Sequence, residues 1–410
     1  MNLKTLTDHN LTNKKILVRV DLNVPIENGA ISDSSRVVGI IPTIKYIQSA
    51  GGKTILISHF GRPNGSYLKE YSLIQVVPLL EELLNFPIKF SSEIIGENVK
   101  KTVNSLQKGE ILLLENTRFC PEEEMNDENF AEKLSSLGDI FCNDAFSASH
   151  RAHASTVGLA KFLPNCVGHH MKKEIDTLEL VLKNPKKPLT AVIGGAKISS
   201  KLNLLLNLIK KVDYLVIGGG MANTFLFAQG IQIGNSLCEK DLKETSLEVI
   251  DTAKKNNCEI ILPKDVVVAS EFKANAKYNI KDLNNIKKDE MILDIGPSTC
   301  KKINEIFSIS KTLIWNGPMG AFELEPFDNG TIDTSLCAGK LTESGELISV
   351  AGGGDTVSAL KKSKADKKFS YVSLAGGAFL EWMEGKSLPG IKCLLSVSYT
   401  HLTLPTKRIV

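Results

Sequence analysis

No run in this chain reaches the roughly 18 apolar residues that a membrane helix needs, so no membrane role is expected. The opening "MNLKTLTDHNLTNKK" has no apolar stretch of signal-peptide type. Eight cysteines are scattered and none forms a C-x-x-C pair, which excludes a zinc module or a disulfide framework and points to a reducing, cytoplasmic setting. Net charge is only +3, so the chain is not a generally basic nucleic-acid binder, and no nucleic-acid partner is expected. There is no G-x-x-x-x-G-K-[ST] phosphate loop. "GGGMAN" and "GGGDTV" both fail G-x-G-x-x-G at the last glycine.

What is present is a long series of short apolar runs, each followed by a polar or glycine-rich turn. They include "KKILVRVDLNVP" (14–25), "KTILISHFGRP" (53–63), "EILLLENTRF" (110–119) and "DIFCNDAFSASHR" (139–151). Later come "LTAVIGGAK" (189–197), "DYLVIGGGMAN" (213–223), "EIILPKDVVVA" (259–269), "MILDIGPST" (291–299), "KTLIWNGPMG" (311–320), "LISVAGGGDT" (347–356) and "FSYVSLAGGA" (369–378). The runs are continuous rather than alternating, as in strands buried on both faces of a parallel sheet. Helical patterns such as "VVGIIPTIKYIQSAGG" lie between them, so the chain reads as α/β with parallel sheets. A length of 410 residues suits two domains. The charged amphipathic stretch 169–184, broken by "PKKP" (185–188), is expected to be a connecting helix. It would separate an N-terminal domain, 1–168, from a C-terminal one, 188–378.

In open α/β sheets ligands bind beyond the carboxyl ends of the strands. In the first half those positions carry Asp21 and Asn23, His59 and Arg62, Arg118, then His150, Arg151 and His153, with Arg36 expected in the loop after the first strand. Arginine's planar fork matches phosphate and carboxylate, so this set reads as a site for a small, highly anionic ligand. The second half ends its strands in glycine, where backbone N–H groups and helix N-termini can meet phosphate. "GGAKISSK" offers Lys197 and Lys201, four apart and expected on one helical turn. "GGGDT" offers Asp355 as an oxygen ligand for the Mg²⁺ that accompanies nucleotide phosphates.

Taken in order and spacing, "RVDLNVP", "SHFGRP", "ENTRF", "SHRAHAS", "GGAKISSKL", "GGGMANTFL", "WNGPMGAFE" and "AGGGDT" resemble the phosphoglycerate kinase family, from about Asn10 to Ile391. The resemblance implies two doubly wound parallel-sheet domains facing a cleft and joined by a helix. It implies a monomer, and reversible transfer of a phosphoryl group between 1,3-bisphosphoglycerate and ADP, giving 3-phosphoglycerate and ATP, with Mg²⁺. Asp21, Asn23, Arg36, His59, Arg62, Arg118 and Arg151 match its acid-substrate positions, and His150 is placed with them. On the nucleotide side stand Gly195, Ala196, Lys197, Lys201, Gly219, Gly220, Asn316, Pro318, Glu323, Gly352, Gly353, Gly354, Asp355 and Thr356. Arg36, Lys197, Gly353 and Gly376 are the expected catalytic set, and Asp355 is the metal-linked carboxylate. The last part of the chain, about 379–394, is expected to return to the N-terminal domain.

Three features depart from that pattern. Ser200 stands where the family often has aspartate, with little expected loss. Leu374 replaces a threonine in the late glycine loop, the basis of a second reading as a catalytically impaired nucleotide-binding relative. Residues 395–410, "LSVSYTHLTLPTKRIV", have no family counterpart and are expected to be a non-native tail. A metal site on His150, His153, His169 and His170 is disfavoured, because no Cys or acidic ligand has matching spacing.

Overall fold

A computed structural model describes residues 1–27 and 29–395; the expected non-native tail, apart from Leu395, lies outside the described residues. The chain divides into two compact units. One comprises Met1–Lys172 with the chain from Pro389 onward, and the other Lys173–Leu388. The return to the first unit thus begins at Pro389, not near 379. The helix Gly377–Met383, expected to pack back, belongs to the second unit, where Asn207 Nδ2 donates to Met383 O. The stretch expected to connect the domains is helical over His169–Leu182.

The first unit holds β1 (Lys15–Arg19), β2 (Ile26–Glu27), β3 (Ala30–Ile31), β4 (Lys53–Ile57), β5 (Ile88–Ser91), β6 (Ile111–Leu114), β7 (Ile140–Asn143) and β8 (Asn165–Val167). Six of these form one parallel sheet in the order β5-β6-β4-β1-β7-β8, while β2 and β3 make a small hairpin. Strands β6 and β7 are buried along their whole length, and β1 and β4 along all but their first residue. That explains the unbroken apolar runs. Two strands, β5 and β8, lie in segments not read as strands; both are sheet edges, where the apolar signal is short.

The helix Ser35–Ser49 places Val37, Ile40, Ile44 and Ile47 in the core, the 3.6-residue period of one buried face. It tolerates Pro42 internally. Its first turn carries Arg36, which therefore sits on a helix rather than in a loop. Pro78 lies in the first turn of the helix Val77–Leu84, where its missing N–H costs nothing.

The second unit continues with β9 (Leu189–Ile193), β10 (Tyr214–Ile217), β11 (Glu259–Ile261), β12 (Asp265–Ala269), β13 (Tyr278–Asp282), β14 (Met291–Ile295), β15 (Thr312–Asn316), β16 (Ile348–Gly352) and β17 (Tyr371–Ser373). Its main sheet is parallel, β11-β10-β9-β15-β16-β17. The run "EIILPKDVVVA" is two strands, not one. Pro263 interrupts it, and β12 leaves the main sheet for an antiparallel one, β13-β12-β14. Every residue of β12 is buried although it pairs antiparallel, so the continuous run that suggested a parallel strand reports only burial on both faces. In both main sheets the strand order reverses beside the first strand of the unit, at β1/β7 and at β9/β15. Such a reversal opens a crevice at the carboxyl ends.

Candidate active site

In the first unit the carboxyl ends of β1, β4, β6 and β7 carry the predicted anion-binding residues, and Asp21, Asn23, Arg36 and Arg118 are tied together there by hydrogen bonds. Asp21, buried just past β1, accepts from Asn23 N at 3.0 Å and from the Ser147 hydroxyl, and pairs with Arg36 Nη1 at 3.2 Å. Arg36 also donates to Asn23 O at 2.7 Å. Burial would raise the Asp21 carboxyl, but Arg36, His59, Ser147 and the Asn23 N–H together hold it below its usual value. Asn23 Oδ1 accepts from Gly61 N at 2.9 Å, so the loop after β1 steadies the loop after β4.

Asn116, fully buried after β6, locks the same loop. It accepts from Phe60 N and Arg118 N, both at 3.1 Å, and donates to Phe60 O at 2.6 Å. Arg118 donates to Gly61 O at 2.8 Å and forms an ion pair with Glu124, Nε to Oε1 at 2.9 Å. Arg62 and Arg151 are exposed. Arg62 has no hydrogen bond or ion pair among the described residues, whereas Arg151 Nε donates to His150 Nε2 at 3.2 Å. His153 turns inward instead. Burial first, and then the charges of Arg118, Arg19 and Arg151, push its imidazole down to about 4. Its backbone anchors the turn Ala154–Gly158, with N donating to Thr156 Oγ1 at 3.0 Å and O accepting from Val157 N at 2.8 Å.

Sequence reasoning passed over Arg19, the last residue of β1, and Glu123. Both are fully buried. The signal was available, because a lone arginine inside an apolar strand must have partners.

In the second unit the β9/β15 crevice contains a cavity of about 490 Å³. Gly195, Ala196, Gly219, Gly220, Pro318, Glu323 and Asp355, all expected on the nucleotide side, line it. The apolar wall, including Leu237, Phe272, Leu293 and Met319, was not foreseen, since it comes largely from β14 and neighbouring loops. A wall of this kind suits a planar, weakly polar base.

Other predicted residues lie near the crevice without lining it. Lys197 and Lys201 do not share a helical turn; residues 198–201 form a bend and turns, and the helix begins at Leu202. Lys197 is exposed. Lys201 is tucked under the strand ends, where Nζ donates to Gly194 O and Asn316 Oδ1, both at 2.6 Å. Burial lowers its ammonium to about 8, with Asp355 opposing. Asn316 turns inward and donates to Gly352 O at 2.7 Å, while Thr356 Oγ1 accepts from Gly317 N at 2.6 Å.

Some of the glycines serve packing. A Cβ on Gly194 would lie 1.9 Å from Pro318 O, and one on Gly219 (φ +67) would lie 2.7 Å from Gly195 O. Gly354 and Gly376 face open space, and Gly353 (φ +97) enters the helix Gly354–Lys362.

A family model for Phosphoglycerate kinase matches residues 6–386. The chain belongs to the phosphoglycerate kinase family. It is 53% identical over 395 residues to a phosphoglycerate kinase of Ruegeria pomeroyi, covering 96% of this chain and 99% of that one. It is 52% identical over 392 residues to that of Agrobacterium fabrum, covering 95% and 98%. Among solved structures, phosphoglycerate kinase from Coxiella burnetii superimposes with a TM-score of 0.88 at 40% identity, covering 96% of this chain and 98% of that one. The enzyme from Pyrococcus horikoshii gives 0.78 at 30% identity, with the same coverage. As a phosphoglycerate kinase, this chain is a phosphotransferase with a carboxyl acceptor. It moves a phosphoryl group reversibly between 1,3-bisphosphoglycerate and ADP, a step of glycolysis. Nothing in these likenesses supports the impaired reading based on Leu374. Among the described residues no helix is long and apolar enough to cross a membrane.

Proposed function

We propose that the network at β1, β4, β6 and β7 binds the acid substrate and that the β9/β15 crevice binds the nucleotide. The observation that carries this is the contrast between the two. One offers the guanidinium groups of Arg36, Arg62, Arg118 and Arg151 with Asp21, Asn23, His59 and His150. The other offers an apolar cavity edged by glycine turns. Guanidinium forks fit phosphate and carboxylate; an apolar slot beside backbone N–H groups fits a base with its phosphates.

In the direction of ATP use, a carboxylate oxygen attacks the terminal phosphorus and ADP leaves; a carboxylate needs no general base, and none is assigned. Catalysis is then positioning and charge neutralisation. Arg36, fixed by Asp21 and Asn23 O, orients the reacting carboxylate. Lys197, exposed and next in sequence to the crevice-lining Ala196, neutralises the moving phosphoryl group. Gly353 and Gly376 let backbone N–H groups approach it. Lys201, Asn316, Gly352 and Thr356 hold the strand ends in place around the phosphates, and Gly354 leaves open space beside them.

Mg²⁺ fits Asp355, an exposed carboxylate lining the crevice at a helix N-terminus. Mg²⁺ is commonly held by one or two carboxylates with substrate phosphates rather than by a protein cage, and no cage of three or more acidic, His or Cys side chains occurs among the described residues. When bound it supplies charge neutralisation at the nucleotide phosphates. We further assign the enzyme to the cytoplasm as a monomer acting on small molecules, without nucleic acid.

Steady-state kinetics of Arg62→Ala and Arg151→Ala test the assignment. KM for 3-phosphoglycerate should rise while KM for ATP stays put; a larger change on the ATP side reverses the two sites. Turnover should stop in EDTA and return with Mg²⁺.

A further inference from the structure

We infer that Arg19 is a positioning residue. By donating to Nδ1 of His59, it fixes that imidazole as the tautomer presenting Nε2–H to the acid substrate. This rests on the reading of His59 as a substrate-binding residue.

Arg19 is 1% exposed and lies in the sheet at the end of β1, so it cannot itself touch a ligand. Its guanidinium nonetheless reaches three elements. Nη2 lies 3.0 Å from His59 Nδ1, Nε donates to Ser155 Oγ at 2.9 Å, and Nη1 donates to Val20 O. Ser155 Oγ donates onward to Glu123 Oε1, and Ser155 N donates to Glu123 Oε2 at 2.9 Å. The donor directions along this chain are forced. A guanidinium has only donors, so His59 Nδ1 must accept and carry no proton. The ring's one remaining proton then sits on Nε2, which has no partner among the described residues.

The electrostatic surroundings agree. Burial, then the Arg19 charge, hold His59 well below the usual imidazole value. Asp21 opposes, while Arg118 and Arg36 add to the lowering. A neutral ring among arginines adds a directed N–H donor without further repulsion between cations.

Glu123 balances the buried guanidinium. Burial raises its carboxyl, and Arg19 with the two Ser155 donors opposes that rise. Because Ser155 belongs to the turn that follows Arg151, the same chain ties the β4 end to the "SHRAHAS" loop. Isolated, a buried arginine would be strongly destabilising. Here its donors are used to orient groups from several loops.

Heteronuclear NMR of histidine-labelled enzyme tests the tautomer directly. In the wild type, His59 should show a bare Nδ1, a protonated Nε2 and no conversion to imidazolium at pH 6. A protonated Nδ1 or a cationic ring overturns the inference without any variant. Arg19→Met combined with Glu123→Gln removes both buried charges together. It should give a tautomer mixture and raise KM for 3-phosphoglycerate about tenfold, the scale of one charge-assisted hydrogen bond. KM for ATP should not move. An unchanged tautomer in that variant refutes the role. His59→Gln, whose amide N can stand in for Nε2, should keep more activity than His59→Asn. If His59→Ala leaves KM for 3-phosphoglycerate unchanged, the substrate-site reading fails, while the tautomer measurement stands on its own.

Discussion

Replacing Lys201 by methionine should separate stability from activity. The side chain is held in the second unit with its ammonium lowered from 10.5 to about 8 by burial. At pH 7 that displacement makes the charged form cost about 3 kcal/mol relative to the unfolded chain. Methionine removes the cost but leaves Gly194 O and Asn316 Oδ1 without their donor, each worth about 1–3 kcal/mol. The two effects oppose, so the net change at pH 7 should stay within about 2 kcal/mol, whereas turnover should fall severely. The sign with pH is fixed. The folded pKa lies below the unfolded one, so the penalty is full below about 8 and is relieved as pH rises towards 10.5. Wild type should therefore gain about 2 kcal/mol over the variant between pH 7 and pH 9.5. Both tryptophans, Trp315 and Trp382, lie in the second unit, so urea unfolding followed by tryptophan fluorescence reads the right part of the molecule. A wild-type-minus-variant difference that does not change with pH would refute the argument.

Lys197→Ala, at an exposed position, should leave stability within about 0.5 kcal/mol but lower kcat on the order of 10²–10³-fold, with 3-phosphoglycerate still binding; near-normal turnover would remove Lys197 from the mechanism. Gly353→Ala forces φ +97 on a residue whose Cβ would sit 2.6 Å from Asn316 Nδ2. It should cost about 1–3 kcal/mol and raise KM for nucleotide; a thermal melt and ADP titration indistinguishable from wild type would show the loop to be slack. Leu374→Thr should change kcat by less than about threefold if the departure is tolerated, well below one lost oxyanion donor; a large gain would revive the impaired reading.

The sequence made the parallel sheets legible because strands buried on both faces spell continuous apolar runs. The same spelling misled at β12, whose five buried residues pair antiparallel. Pro263 was the clue to a break. The arginines of the proposed anion site stood out in the sequence, yet Arg19 looked like part of the strand, since sequence position does not show which buried groups face one another. Some glycines at the strand ends also serve packing. At Gly194 and Gly219 the nearest obstacle to a side chain is another strand end, not space for a phosphate. The apolar wall of the β9/β15 crevice, with Phe272 and Leu293, was illegible because it converges from distant segments with no motif of their own.

The late return of the chain bears on how the enzyme is born. Gly390 N donates to Ser149 O at 2.9 Å, Asn143 Nδ2 donates to Gly390 O at 3.3 Å, and Leu395 bridges to Leu3. A Cβ on Gly390 would stand 2.9 Å from Ser149 Cα, so the returning segment lies flush against the backbone of the loop that carries Arg151. On the ribosome, the strands of the first unit emerge long before this brace does. All of residues 173–388 must be translated in between, which takes on the order of ten to forty seconds at roughly 5–20 residues per second. During that interval the nascent first unit has its sheet but not its final prop. A released fragment ending before Pro389 should hold the loop that carries Arg151 only loosely, so a segment translated after the whole second unit steadies a loop of the first.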